Sequence, residues 1–141
     1  MEPKVTLTDA PDRQAEKVIG EGLRRYNVEQ SGVDDSRPLA VIVSDPETGE
    51  PIGGLLGRTS RGVLFVDLVF LPDAVRGDGL GRRIVRMAED EGRRRGCGAA
   101  VLYTSSFRAP GFYERHGWRR FGEIPSQPPG TSRIYFTKAL A

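Results

Sequence analysis

The run Val63-Leu64-Phe65-Val66-Asp67-Leu68-Val69-Phe70-Leu71-Pro72 leads through Asp73-Ala74-Val75 into Arg76-Gly77-Asp78-Gly79-Leu80-Gly81, and a segment ending at Arg93-Arg94-Arg95-Gly96 follows. The first part is an apolar strand interrupted by one carboxylate, and its composition predicts a central strand covered on both faces. Beyond the glycines, Leu80, Ile84, Met87 and Ala88 recur at helical spacing while Arg82, Arg83, Arg86, Glu89 and Asp90 point elsewhere. Arginines suit the last turn of a helix and Gly96 supplies its stop, so this basic cluster reads as a capped, solvated helix end.

Strand, glycine-rich turn and helix in that order suit an anion. Glycines let the backbone turn tightly and aim N–H groups outward, and the helix N-terminus adds partial positive charge, a combination that fits a pyrophosphate. A dinucleotide fingerprint would need G-x-G-x-x-G, but Gly77, Gly79 and Gly81 form G-x-G-x-G. A P-loop would need a Gly-Lys pair, which this turn lacks.

Working outward, Lys4 to Thr8 alternates like a short edge strand, and Asp9 is placed to cap a helix whose stripe Ala15, Val18, Ile19, Gly22, Leu23 and Tyr26 is expected to be core. Asn27 to Pro38 is a polar loop. Leu39 to Ser44 and Ile52 to Thr59 form an antiparallel hairpin around the Pro46 and Gly49 turn. Downstream come a buried strand over Ala99 to Tyr103, a short helix over Pro110 to His116, and strands over Trp118 to Ile124 and Arg133 to Lys138. The resulting order is β-α-β-β-β-α-β-α-β-β, an α/β (α+β) fold with a mixed, mostly antiparallel sheet. At 141 residues it is read as one domain, 1–141.

Composition narrows the function. A net charge of +2 gives no reason for a nucleic-acid partner, and no apolar run is long enough to cross a bilayer. The N-terminus lacks a signal-peptide pattern, so the reading is a cytoplasmic protein with no membrane association. With one cysteine, Cys97, and one histidine, His116, neither a disulfide framework nor a metal site is expected. Cys97 with His116 as its base could form a covalent acyl-enzyme, but Cys97 lies at a helix-to-strand turn remote in sequence from the apolar strand, and His116 reads as a helix-end residue.

Arg76, Gly79 and Gly81 match [Q/R]-x-x-G-x-[G/A] after an apolar strand, and Ala109, Phe112, Tyr113, Gly117 and Trp118 match A-x-x-F-Y-x-x-x-G-[FWY] downstream. Two spaced signatures in this order resemble the GNAT superfamily of N-acyltransferases, and the likeness runs from about Tyr26 to the C-terminus. Further pieces are Gly53-Gly54-Leu55-Leu56-Gly57 and Phe107 to Glu114, similar to small bacterial members labelled histone-acetyltransferase-like. Where such members often carry tryptophan, this chain has Arg61, Val63 and Phe70, which implies a reshaped acceptor site.

The resemblance implies an acetyl-CoA-dependent N-acetyltransferase without a metal. Its cosubstrate would be bound by Leu68, Val69 and Phe70 through backbone groups, by Arg76, Gly77, Asp78, Gly79, Leu80 and Gly81 at the pyrophosphate, and by Ser106, which stands where many members have asparagine. Tyr113 is implied as the acid that protonates the leaving thiolate, its alternative being a core aromatic. An alkylammonium must lose a proton before it can attack, and Asp67 is the candidate base. The other reading of Asp67 is a structural carboxylate satisfied by backbone or arginine. The acceptor is expected to be a small cationic amine, aminoglycoside-like or a polyamine, and a homodimer is left open. The competing readings are a protein lysine or N-terminal acetyltransferase and a non-catalytic acyl-CoA sensor.

Overall fold

A computed structural model describes all residues, Met1–Ala141. The chain divides into two compact units, Met1–Asp34 and Asp35–Ala141. In the first, helix α1 spans Arg13–Ser31, with Asp12 rather than Asp9 as its cap; the Asp12 carboxylate accepts from the Ala15 amide at 2.7 Å. The helix runs past Tyr26 into the segment expected to be loop and stops at Gly32, whose φ of 73° suits only a residue without a β-carbon. Its apolar stripe is not core. Val18, Ile19, Leu23 and Tyr26 are all exposed, and no residue of the helix is buried. Lys4 to Thr8 forms no strand.

The second unit is built on strands β1 (Arg37–Ser44), β2 (Pro51–Ser60), β3 (Val63–Phe70), β4 (Ala99–Ser105), β5 (Arg119–Pro125) and β6 (Ser132–Ala139), with helices α2 (Leu80–Arg94) and α3 (Pro110–Arg115). The sheet has six strands in the order β1-β2-β3-β4-β6-β5. The sequence order expected seven; the missing one is Lys4 to Thr8. All pairings are antiparallel except β3 with β4. Gly54 and Gly57 keep β2 close to its neighbours, since a β-carbon would collide with the Val41 carbonyl at the first and the Phe65 carbonyl at the second.

One sheet face carries the core. Leu39, Leu55, Leu64, Val66, Ala100, Leu102, Ile134 and Phe136 pack there with Ile84, Val85 and Ala88 of α2. On the other face Ile42, Leu56, Leu68, Phe70 and Tyr103 are each about half exposed or more. Strand β3 is therefore central but covered on one face only, contrary to what its composition suggested. A bulge also interrupts the strand: Leu56 pairs with Leu68 while Gly57 pairs with Val66, leaving Asp67 as an extra residue. The slip puts Val69 and Leu71 on the core side and turns Leu68 and Phe70 outward.

The end of α2 also differs from expectation. Arg95 is largely buried and donates to the Glu91 carboxylate at 2.8 Å, the Pro38 carbonyl at 3.0 Å and the Thr59 hydroxyl at 3.1 Å. Arg93 donates to the Leu140 carbonyl at 2.9 Å. These guanidiniums tie α2 to the sheet edge and the C-terminus rather than forming a simply solvated end. Glu89, expected to face outward, is buried, and Met87, expected on the apolar stripe, is about half exposed.

Candidate active site

Strands β3 and β4 run parallel for only three pairs, Val63 with Ala99, Leu64 with Ala100 and Phe65 with Val101. Beyond these, β4 continues against β6 as far as Ser105, while β3 keeps only its β2 partner. The strands therefore diverge, and the edge of β3 from Val66 to Phe70 that faces β4 has no strand partner. Backbone N–H and C=O groups on such an edge require a partner, so an extended ligand carrying amide groups can occupy the gap.

At the end of β3 the chain turns through a 3-10 turn, Asp73–Val75. Arg76 braces this turn: Nε donates to the Leu71 carbonyl at 2.7 Å, and Nη1 lies 2.8 Å from Asp73. Gly77 and Gly79 have φ of 95° and 76°, and Gly79 caps α2 with no side-chain hydrogen bond. The first N–H groups of α2 are thus free to take an anion. A β-carbon on Gly77 or Gly79 would meet nothing within 4 Å, so both open outward; one on Gly81 would touch Phe112 at 3.7 Å and Leu71 at 3.8 Å. Asp78 is exposed and Leu80 half-buried against the core.

The second signature lies across β4. Ser106 is engaged with β6 on both sides, its amide donating to the Ser132 carbonyl at 2.8 Å and its hydroxyl accepting from the Ser132 amide at 2.9 Å. Helix α3 starts at Pro110, where a proline needs no N–H partner. Tyr113 stacks edge-on to Phe112 at 5.1 Å and Trp118 at 6.0 Å, and lies 5.6 Å from Phe136. Burial pushes its phenol above the usual range, against a smaller opposing effect of Arg108, so the hydroxyl holds its proton firmly at neutral pH. Its hydroxyl has no hydrogen-bond partner within the chain, and it makes no bond to Asp67. Asp67 instead pairs with Arg58, whose Nη1 is 3.2 Å from both carboxylate oxygens. The Arg58 guanidinium also lies 4.4 Å over the Phe65 ring.

Burial raises the Cys97 thiol above its usual pKa, the opposite of what an attacking thiolate needs, and His116 caps α3. No group of three His, Cys, Asp or Glu side chains is arranged to hold a metal ion. The residues that sequence reasoning missed lie along the side of α2. Glu89 accepts from Lys138 Nζ at 2.7 Å and Trp118 Nε1 at 3.2 Å, and this buried ion pair floors a groove of about 230 Å³ lined by Arg82, Arg86, Phe112, Arg115 and His116. The available signal was the position of Glu89 beside Val85, Ala88 and Gly92 on the face that is buried.

Residues 7–118 match the model of the Acetyltransferase (GNAT) family. The chain is 37% identical over 132 residues to an Agrobacterium fabrum protein named as an acetyltransferase, covering 94% of this chain and 96% of that one. It is 40% identical over 111 residues to blasticidin-S acetyltransferase from Streptomyces morookaense, covering 77% of this chain and 82% of the relative. A crystal structure from Agrobacterium tumefaciens, described as that of an acetyltransferase, superposes with a TM-score of 0.90 at 36% identity, covering 97% of this chain and 99% of that one. No helix is long and apolar enough to cross a membrane. The divergent strands, the open glycine turn and this match over most of the chain lead to one assignment: the protein belongs to the GNAT family of acetyltransferases.

Proposed function

We propose that the chain uses acetyl-CoA to acetylate the amino group of a small cationic molecule. The observation that carries this reading is the loss of pairing between β3 and β4 after Phe65, beside an α2 N-terminus with no side-chain cap. One feature suits the amides of pantetheine and the other a pyrophosphate, and the glycines leave the space between them free of β-carbons. Leu68, Val69 and Phe70 offer backbone groups to the pantetheine arm, and Gly77 to Gly81 face the pyrophosphate. Arg76 acts by holding the turn, through its bonds to Leu71 and Asp73. Asp78 stands exposed at the mouth, and Ser106 keeps a hydroxyl proton to donate while its oxygen accepts from Ser132.

Acetyl-CoA supplies the activated acetyl group. The amine first loses a proton, for which Asp67 is the acceptor, directly or through a water, while Arg58 fixes the orientation of its carboxylate. The nitrogen then bonds to the acetyl carbon as the carbon–sulfur bond breaks, Tyr113 passes its phenolic proton to the departing sulfur, and the second proton that the acylated nitrogen sheds restores the phenol. The phenol carries its proton at neutral pH, as a donor must. The small-amine acceptor is supported by the relative named for acetylating blasticidin S. Thiol release from acetyl-CoA, measured against panels of antibiotics, polyamines and lysine peptides, tests the reading. Turnover on a small amine is expected; turnover on peptides alone would replace the acceptor class, and tight CoA binding without any turnover would identify a sensor.

A further inference from the structure

We propose that Glu89, buried on α2, is a positioning residue for Tyr113: by engaging Trp118 and Lys138 together it fixes the direction in which the phenol points. This rests on the reading of Tyr113 as the proton donor. A donor acts only within hydrogen-bond reach of the atom it protonates, and its side chain must be held to within about 0.5 Å of that geometry. The Tyr113 hydroxyl has no hydrogen-bond partner within the chain, so the reacting end of the side chain is unanchored. Its direction is therefore set by the backbone and by the rings packed on it. Phe112 precedes it on the same helix and Phe136 is fully buried in the core, whereas Trp118 lies on the short turn after α3 and owes its place to a polar contact.

The Trp118 amide donates to the Tyr113 carbonyl at 3.0 Å, as does the His116 amide, so indole and phenol hang from one piece of backbone and meet edge to face at 6.0 Å. The indole Nε1 donates to Glu89 Oε2 at 3.2 Å. Lys138 Nζ donates to Glu89 Oε1 at 2.7 Å and to the His116 carbonyl at 2.8 Å, and its stem passes close to Gly117, where a β-carbon would lie 3.4 Å from Lys138 Cε. One carboxylate thus joins α2 to both sides of the turn that carries the phenol. Arg93, 3.9 Å from Glu89, has its own partner in Asp90 at 2.9 Å. The His116 imidazole adds no charge at this end of α3: burial first, then Arg82, Arg115 and Lys138, hold it below its usual pKa, with Glu89 opposing, and it packs edge to face on Phe112 at 4.7 Å. Stability alone does not account for the pair. Apolar side chains of similar volume often replace a buried ion pair with no loss of stability, whereas a carboxylate accepting from an indole and an ammonium at once dictates direction.

Two variants separate positioning from support of the fold. Trp118→Phe deletes the indole N–H and keeps an aromatic edge; Glu89→Met with Lys138→Met removes both charges together, leaves no unpaired ion and alters no ring. Each is made in the wild type and in Tyr113→Phe. Labelling the four tyrosines with 3-fluorotyrosine gives a readout that needs neither coenzyme nor acceptor. The Tyr113 fluorine resonance, assigned by its absence in Tyr113→Phe, should move or broaden in the Glu89→Met/Lys138→Met protein while those of Tyr26, Tyr103 and Tyr135 stay. In thiol release from acetyl-CoA with the small amine that the panel above selects, kcat should fall about tenfold in each variant, with acetyl-CoA Kd within about twofold of wild type. Added to Tyr113→Phe, the same substitutions should lower kcat no further, because they act through the missing hydroxyl. An unmoved Tyr113 resonance, wild-type kcat in both variants, or an equal loss in both backgrounds would overturn the proposal and leave Glu89 a support of the fold. Wild-type kcat in Tyr113→Phe alone would instead remove the proton-donor reading, and this inference with it.

Discussion

Replacing Tyr113 by Phe removes one oxygen and leaves the ring. Its contacts with Phe112, Trp118 and Phe136 are all made by the ring face or edge, at centroid distances of 5.1, 6.0 and 5.6 Å. The hydroxyl bonds to nothing within the chain, so its removal orphans no buried partner, and stability should change by no more than about 0.5 kcal/mol. The chemical step should suffer far more. If the phenol protonates the departing sulfur, kcat should fall by about 10- to 1000-fold, or about 1.4 to 4 kcal/mol of transition-state stabilisation. Measuring kcat by thiol release, cofactor Kd by calorimetry and the melting temperature together isolates the effect. A variant with wild-type kcat would make Tyr113 a packing residue. Lost cofactor binding with an intact fold would place the hydroxyl in the binding pocket instead.

The glycine turn can be tested with Gly79→Ala and Gly79→Glu. Both incur about 1–2 kcal/mol of strain, because φ is 76° at this position. Only Glu should also abolish stabilisation by acetyl-CoA, about 2.7 kcal/mol at a hundredfold excess over Kd, and a retained melting shift in Gly79→Glu would count against a pyrophosphate there. Asp67→Asn keeps shape and removes charge; kcat should drop by at least about 100-fold if Asp67 is the proton acceptor, and a drop of less than about threefold would leave it the structural partner of Arg58. His116 has its pKa lowered in the fold, so its contribution to stability is present above about pH 6.5 and lost as pH falls through the folded value. Wild-type melting temperature should therefore decline more steeply than that of His116→Gln between about pH 7 and about pH 5; parallel declines would show that the imidazole is not the group responsible.

What the sequence made legible is what local backbone chemistry decides. Glycines at 77, 79 and 81 can open a turn only where side chains would be strained or in the way, and the positive φ at Gly77 and Gly79 is the structural counterpart of that reading. The strand and helix flanking them were equally visible, as were the hairpin and the helix stop at Gly96. The bulge at Asp67 was not, because a period-two pattern gives the faces of a strand only if its register never slips, and the slip is set by pairing with β2. The run Val63 to Leu71, apolar apart from Asp67, carries no sign of where that slip falls. The stripe of α1 illustrates the same gap: helical spacing identifies an apolar face, yet Val18, Ile19, Leu23 and Tyr26 are exposed in this structure.

Glu89 shows why the groove escaped sequence reasoning. A carboxylate in a helix is read as a solvent-facing residue, since burying it alone would be prohibitive. Here Lys138, 49 positions away, and Trp118, 29 away, neutralise it and fill its hydrogen-bonding capacity, so that it can sit at the bottom of the α2 face. Removing one partner would expose the size of that debt: an unpaired buried charge typically costs about 3–5 kcal/mol. The same pair accounts for the character of the groove above it. By holding Lys138 against Glu89 and the His116 carbonyl, the fold cancels the one negative charge that could have paired with Arg82, Arg86 or Arg115. Arg82, Arg86 and Arg115 are left without an acidic partner within the chain because the one carboxylate among the groove's lining residues is already paired.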